Sequence, residues 1–178
     1  MTKQTLTCAC GGVALELHGA PFFTTECHCD SCREAASRLA RLKLSRHMVE
    51  DNGGSQFALY RKDRARIVRG QEKLVGYRLK AGAPTRRVVA GCCNSPVFLE
   101  FQGGHWLSIY SSLWPEGQAP RPQIRTMTAD RHPEAQPDQS IPHGKRQTFG
   151  FYGRLLAAWV AMGFRSPRFE VGREAILE

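Results

Sequence analysis

The stretch Cys27-His28-Cys29-Asp30-Ser31-Cys32 places three thiols within six residues, and this spacing decides what kind of domain the chain can form. Thiols this close suit one metal ion better than a disulfide network, and zinc is the ion that we expect thiolates to hold here. We expect an open zinc site, because catalytic zinc keeps three protein ligands and one free position. The alternative is a closed site with His28 or a distant residue as fourth ligand. If His28 is not a ligand, we expect it at the surface.

Four further cysteines lie in two pairs on either side of this stretch. Cys8 and Cys10 precede a glycine turn, and Cys92 and Cys93 begin the segment Cys92-Cys93-Asn94-Ser95-Pro96. Two such turns facing each other would supply a four-thiolate structural zinc, which would contribute directly to the free energy of folding. Neighbouring side chains on extended backbone point to opposite faces, so we expect Cys93 to be the firmer ligand. Cys92 either completes the site in a sharp turn or is a buried free thiol.

Short segments of alternating apolar and polar residues predict a mainly β fold. The predicted strands are 13–17, 22–27, 56–60, 65–68, 74–79, 86–89, 97–101 and 106–110. Apolar residues at helical spacing predict a helix at 32–46. Asp30 or Ser31 is its expected N-cap, and Ser31 with Glu34 forms a capping box.

The last third of the chain has a different character. Six of the ten prolines lie between 114 and 142, which predicts an extended arm with His132 and His143 exposed. A second helix, predicted at 149–164, is apolar around most of its circumference, so we expect it to be covered on both sides by the domain or a second subunit, with a homodimer as one arrangement. A membrane-surface anchor is the alternative. We therefore divide the chain into a zinc-binding domain at 1–112 and an arm with an apolar helix at 113–178.

The composition, 42% hydrophobic and 23% charged, is that of a soluble globular domain. No apolar run reaches the ~20 residues that span a bilayer, and no signal-peptide pattern is present, so we expect a cytoplasmic protein with reduced thiols. Fifteen Lys or Arg but five Asp or Glu lie between Arg33 and Arg87, and this excess attracts anions. Nucleic acid is not the expected partner, because this segment has only three aromatic residues, Phe57, Tyr60 and Tyr77.

The cysteine pattern resembles that of a known family. The matching motifs are Cys8-x-Cys10-Gly11, Cys27-His28-Cys29-x-x-Cys32-Arg33, the segment 70–77, Arg87, and Cys93-Asn94-Ser95-Pro96. Together they look like the glutathione-dependent formaldehyde-activating enzyme (GFA) family, which includes centromere protein V, over about residues 5–112. The resemblance implies a mainly β, Mss4-like (β-tent) fold, with a structural zinc on the first and last cysteine pairs and a second zinc on the central three. The proposed activity of the family is the addition of glutathione to formaldehyde.

Several positions depart from the family pattern. The family has Cys-x-x-Cys-Gly-Ser-Pro at the last pair, whereas this chain has Ala90 at the first cysteine and Asn94 at the glycine, so that Cys92 is an offset substitute. The glycine that usually follows the central Cys-Arg is absent, and 35–54 looks like a helical insertion beside the expected site. These departures bear on the identity of the substrate more than on metal binding.

Two functions follow from these features. The first is a carbon-sulfur lyase, or a binder, for a glutathione-type thiol adduct of a small aldehyde. In this function zinc on Cys27, Cys29 and Cys32 is the reactive centre, and arginines hold the anionic substrate; the candidates are Arg33, Arg38 and Arg87. Neither of the flanking carboxylates, Glu26 and Asp30, stands out as a general base, and each is equally a solvated side chain. The second function is a non-catalytic, zinc-stapled interaction module that uses the basic helix at 32–46 and the apolar C-terminal helix.

Overall fold

The computed structural model describes residues 2–131 and 140–177 of the 178-residue chain. In this part, eleven strands and two α-helices form. The strands are β1 Lys3–Thr7, β2 Ala14–His18, β3 Phe23–Cys27, β4 Ser55–Arg61, β5 Ala65–Arg69, β6 Leu74–Arg78, β7 Thr85–Ala90, β8 Ser95–Phe101, β9 Trp106–Tyr110, β10 Ile124–Thr126 and β11 Arg173–Ile176, and the helices are α1 Asp30–Ala40 and α2 Lys145–Val160. The predicted mainly β fold is confirmed.

The strands form two sheets. One hydrophobic core lies between them, and a second lies on the opposite face of the larger sheet. The smaller sheet has the order β1-β2-β5 and the larger has the order β10-β3-β4-β9-β8-β7-β6-β11. Side chains of alternate residues, such as Leu17, Phe98 and Leu107, fill the space between the sheets. On the opposite face of the larger sheet, α1 buries Ala35 and Leu39 in the second core. The three-thiol stretch lies at the join of β3 and α1, beside this second core.

The predicted strands are confirmed to within a residue or two, and three further strands were not predicted. These are β1, β10 and β11. β10 pairs in parallel with β3, and β11 pairs in parallel with β6, at opposite edges of the larger sheet. β10 and β11, with three and four residues, are too short to show an alternating pattern, so tertiary pairing alone defines them. The predicted arm at 114–142 therefore contributes a strand to the sheet.

Helix α1 is shorter than predicted. It ends at Ala40, where the chain turns through Lys43 with a positive φ of 53°, so the expected helix up to residue 46 is wrong. The N-cap is Cys29 without a side-chain capping bond, so the expected capping box is also wrong. The Ser31 hydroxyl lies 3.3 Å from the Cys29 sulfur instead, and Glu34 pairs with Arg38. The Ser31 hydroxyl therefore contacts the thiol cluster and does not cap the helix backbone.

Helix α2 begins four residues before its predicted start and is covered on one side. Leu155 and Ala158 are buried, and the ring of Phe151 lies 5.4 Å from that of Phe23. The other side is exposed in the single chain, so the described residues cover one side of the helix only. None of the described helices is long and apolar enough to cross a membrane. His143 is exposed as expected, whereas His132 lies outside the described residues.

Candidate metal centres

Two turns bring four thiols together between the two sheets. Cys8 and Cys10 lie in the turn after β1, and Cys92 and Cys93 lie in the turn between β7 and β8. The four sulfur atoms all lie within 4.8 Å of one another. The Cys8 sulfur is 3.7 Å from that of Cys10 and 3.8 Å from that of Cys92, and the Cys10 and Cys92 sulfurs are 3.4 Å apart. We call this group the four-thiol cluster.

The adjacent cysteines join one cluster because their backbone is a tight turn rather than a strand. The amide of Cys93 donates to the carbonyl of Ala90 over 3.2 Å, and Asn94 adopts a left-handed conformation with φ of 55°. Both thiols of the pair therefore point to the same side. The sulfur positions therefore do not favour Cys93 over Cys92 as a ligand, although the sequence predicted such a preference.

The second group, which we call the three-thiol cluster, is built at the junction of a strand and a helix. Cys27 ends β3, Cys29 is the N-cap of α1, and Cys32 lies in the first turn of the helix. Their sulfur atoms lie within 4.8 Å of one another, with 4.0 Å between those of Cys27 and Cys32. Cys32 is buried, whereas the other two thiols are half-buried. The cluster is therefore reachable from solvent on the Cys27 and Cys29 side.

The sulfur separations fit a tetrahedral thiolate site. With zinc-sulfur bonds of about 2.3 Å, the edge of a regular tetrahedron is about 3.8 Å. The separations of 3.4–4.0 Å found in the two clusters bracket this value. A disulfide requires a separation of about 2.05 Å, and all seven cysteines are free. The residues present therefore fit metal ions at both places.

Hydrogen bonds within each cluster favour one thiolate. The pKa of Cys29 lies well below its usual range because the Cys27 and Cys32 thiols donate hydrogen bonds to it, and the pKa values of these two donors are raised. In the four-thiol cluster, burial raises the pKa of Cys93, but hydrogen bonds, first that of Ser95, outweigh this effect and lower the pKa to about 6. Since the thiolate is the metal-binding form of cysteine, each cluster is prepared for a cation.

A buried arginine stands beside the three-thiol cluster. Arg87, on β7, is fully buried, and its guanidinium donates to the carbonyl and the hydroxyl of Ser31, over 2.9 and 3.2 Å, and to the hydroxyl of Thr85, over 3.1 Å. Among the described residues it has no carboxylate partner, and its Nε has no hydrogen-bond acceptor. A buried unpaired cation is unfavourable, so the neighbouring thiolates are its natural counter-charge.

Tyr110 was not predicted as a site residue, yet it belongs to the same neighbourhood. Burial raises its pKa well above the usual range, and negative charge on Cys32 raises it further, while Arg87 acts in the opposite direction. This position carries no local motif, because Tyr110 ends an ordinary strand, β9, and meets the cluster only through the fold.

His28 and Glu26 are buried, so the prediction of surface positions for them is wrong. The His28 Nε2 lies 2.9 Å from Glu26, and the Arg125 Nε donates to the same carboxylate over 2.6 Å. Asn52 and Gln56 donate to its other oxygen. Burial raises the pKa of Glu26, but these hydrogen bonds outweigh it and lower the pKa to about 2. This buried network of hydrogen bonds around Glu26 holds the turn that carries Cys27 and Cys29 in place.

The other two arginine candidates are half-buried, and each pairs with a carboxylate of its own helix. Arg33 donates to the carbonyl of His28 and pairs with Asp30, which clamps the turn of the three-thiol cluster. Arg38 pairs with Glu34 and donates to the carbonyl of Leu177 over 2.8 Å. Of the three arginines selected from the sequence, Arg87 alone has no carboxylate partner among the described residues.

A mainly β domain that gathers seven cysteines into a four-thiol and a three-thiol group belongs to the class of cysteine-rich metal-binding domains. The model of the glutathione-dependent formaldehyde-activating enzyme family, GFA, matches residues 3–130. The chain belongs to this family. The matched segment contains all seven cysteines as well as Glu26, His28, Arg87 and Tyr110.

The chain is similar to a solved structure of a bacterial protein. It is the crystal structure of a Rhodobacter sphaeroides protein determined by Northeast Structural Genomics, with 21% sequence identity, a TM-score of 0.47, and coverage of 66% of this chain and 93% of that chain. A comparison with curated proteins finds no significant match.

Proposed function

We propose that this protein binds zinc at both clusters and uses the three-thiol cluster to take a glutathione-type thiol. The observation that carries the proposal is the incomplete ligand set at this cluster. Within residues 2–131 and 140–177, Cys27, Cys29 and Cys32 gather without a fourth histidine, cysteine or carboxylate ligand. Sites with three protein ligands and an open position are typical of catalytic zinc, whereas a four-thiolate set is typical of structural zinc.

The four-thiol cluster serves as a structural site in this proposal. Its ligands come from turns that are distant in sequence, and the Ser95 hydroxyl accepts a hydrogen bond from the amide of Ala9 over 2.9 Å, which links the two turns directly. Thiolates select zinc over the harder divalent ions. The smaller and the larger sheets are thereby tied together.

The charge balance at the three-thiol cluster supports an anionic substrate. Three thiolates and one divalent cation leave a single negative charge, which the buried Arg87, bonded to Ser31 of the same turn, would offset. A neutral centre accepts a further thiolate at lower electrostatic cost than an anionic one. We therefore assign Arg87 to charge compensation, and Arg33 to positioning of the turn.

The family name points to addition of glutathione to formaldehyde as the reaction class. When bound, zinc would supply an open coordination position that favours the thiolate form of the substrate. In the reaction, a carbon-sulfur bond forms between the thiol sulfur and the carbonyl carbon, and the thiol proton ends on the carbonyl oxygen. The half-buried Cys27 and Cys29 leave this side of the cluster open to the incoming thiol, and the buried network around Glu26 holds their turn fixed.

The second candidate function is a zinc-stapled interaction module. The exposed side of α2 favours it, since large apolar side chains lie there in solvent. The basic face of α1 gives it less support than the sequence indicated, because Arg33 and Arg38 are both paired with acidic residues of the same helix.

Titration calorimetry with glutathione distinguishes the two functions. We expect saturable binding by the wild type that weakens with added salt, because ions screen charges over about 8 Å at physiological strength. Cys29→Ser should abolish binding, whereas Ser37→Ala, at a solvent-exposed position of the same helix, should leave it unchanged. Elemental analysis of each variant reports zinc content. Absence of heat at millimolar glutathione, or binding that survives Cys29→Ser, would favour the interaction module.

A further inference from the structure

Helix α2 presents an apolar face to solvent, which we call the α2 stripe. Its large side chains have exposed fractions of 37–83%, and they are Phe149, Tyr152, Leu156, Trp159, Val160 and, just past the helix end, Phe164. The spacing of three and four residues places the helical members on one face. An apolar patch of this kind on a folded domain marks an interaction surface.

The α2 stripe is held in place rather than left on a loose helix. On the opposite side of α2, Leu155 and Ala158 are buried, and the Arg154 guanidinium lies 5.0 Å from the centre of the Phe23 ring. Aromatic contacts also extend the patch, since Trp159 packs against Phe164 at 5.2 Å and stacks on His105 at 5.8 Å. The surface is therefore preformed.

The charged residues of the segment that carries the stripe have one sign. Between Ser140 and Phe169 the chain has five cations and no Asp or Glu; the cations are Lys145, Arg146, Arg154, Arg165 and Arg168. Arg146 stands in the first turn of α2 and Arg165 follows its end, and both are exposed. The apolar stripe is thus flanked at each end by positive charge.

This charge pattern disfavours pairing of α2 with the same helix of a second copy. In an antiparallel pair, Arg146 of one copy would approach Arg165 of the other, and in a parallel pair each cation would approach its own equivalent. No acidic residue between 140 and 169 could compensate either arrangement. The occupant that fits is apolar at its centre and anionic at its edge.

We propose that the α2 stripe docks on the surface of an anionic lipid bilayer, parallel to the membrane plane. Its aromatic and leucine side chains would enter the boundary between headgroups and acyl chains, and the flanking arginines would contact anionic headgroups. Tyr152 and Trp159 suit this depth because each combines an apolar ring with a polar tip. The helix of 16 residues is about 24 Å long, too short to span the hydrocarbon core.

Sedimentation of the full chain with lipid vesicles tests the proposal. We expect binding to vesicles of phosphatidylcholine with phosphatidylserine and little binding to phosphatidylcholine alone. Leu156→Ser should weaken binding by at least about tenfold through lost apolar contact. Arg146→Gln and Arg165→Gln should each weaken it about fivefold, and added salt should mimic them.

Two substitutions on β5, in the smaller sheet, serve as matched controls. Val68→Ser removes an apolar side chain of comparable exposure, and Arg66→Gln removes an exposed cation; both should bind vesicles as the wild type does. Unchanged zinc content and thermal stability of each variant would show that the fold and the thiol clusters are intact. Absence of vesicle binding would not bear on the glutathione proposal, because the two experiments use different ligands and different residues.

Three outcomes would overturn the membrane proposal. One is the absence of vesicle binding at low salt, and another is equal loss of binding in the β5 controls. The third is a stable dimer in light scattering that Leu156→Ser converts to a monomer, since a second copy would then cover the α2 stripe.

Discussion

Gly54 lies against the buried charge network of Glu26 and His28. A Cβ at this position would stand 2.6 Å from the Glu26 Cγ and 3.0 Å from the His28 Nε2. We predict that Gly54→Ala lowers the free energy of unfolding by about 1–3 kcal/mol, because the buried pair must shift to make room. Urea denaturation measures the change.

Gly150→Ala is the control for this substitution. Gly150 lies in α2 with open space at its Cβ position, so alanine there should raise helix stability by up to about 1 kcal/mol. If Gly54→Ala leaves the free energy of unfolding unchanged, the Glu26 and His28 pair is loosely held.

Arg87 and Arg86 are adjacent on β7 but have opposite surroundings. Arg86 pairs with Glu100 and Glu174, whereas Arg87 faces Ser31 beside the thiols. We predict that Arg87→Lys weakens zinc binding at the three-thiol cluster by about tenfold or more, since the rigid guanidinium contacts would be lost. Competition with a chromogenic chelator measures this affinity.

Arg86→Lys should leave zinc affinity unchanged while it lowers thermal stability. Equal effects of the two substitutions on zinc affinity would argue against a role for the Arg87 guanidinium contacts with Ser31 in holding the cluster.

At the scale of elements, α2 packs against a buried histidine. His105 is 7% exposed, and its ring stacks on Trp159 of α2 with 12° between the ring planes. Burial lowers its pKa, and the cations Lys62 and Arg61 lower it further, against the opposing effect of the Leu155 carbonyl. The folded state therefore disfavours the imidazolium form.

We predict that α2 loosens as the pH falls. The unfolded chain protonates His105 near its ordinary pKa of about 6.5, whereas the docked form resists protonation, so stability is present above this pH and decreases below it. Hydrogen exchange of the α2 amides, at about pH 7.5 and about pH 5.5 on either side of that pKa, measures the effect. His105→Phe keeps a ring at this place and should abolish the pH dependence. Equal pH dependence in the variant would assign it to another group.

At the scale of the whole molecule, the four-thiol cluster connects the two sheets. Its ligands lie at the end of β1 in the smaller sheet and between β7 and β8 in the larger. The three-thiol cluster, in contrast, joins residues within a single turn. We predict that Cys10→Ser lowers the melting temperature by about 10 °C or more and that Cys29→Ser lowers it less, because only the first loses a metal that ties distant segments. Similar losses would indicate that both sites are structural.

The paired cysteines should contribute similarly to this connection. The Cys92 sulfur is 3.4 Å from that of Cys10, and the Cys93 sulfur belongs to the same group. Cys92→Ser and Cys93→Ser should therefore reduce zinc content and melting temperature to a similar extent. Retention of the metal in Cys92→Ser would restore the sequence-based preference for Cys93.

The sequence by itself determined the features that depend on local spacing. Three thiols within six residues lie close together in almost any tight turn. The structure places the three-thiol cluster at the motif that predicted it. Alternation over five to seven residues was enough to predict the longer strands, since period two is a property of the strand backbone. Composition also predicted the apolar character of α2, although not which side of the helix is covered.

Tertiary structure alone decided the features that depend on distant partners. Glu26 and His28 look like surface residues beside a metal motif, and they are buried because Arg125, 99 residues further along the chain, neutralises the carboxylate. The sequence left open whether Cys92 joins Cys93 in one cluster, and it does so because the turn that carries the pair is tight and faces the turn of Cys8 and Cys10. Burying a charge or assembling four thiols is favourable only when the partner is already in place, and local sequence does not encode that partner.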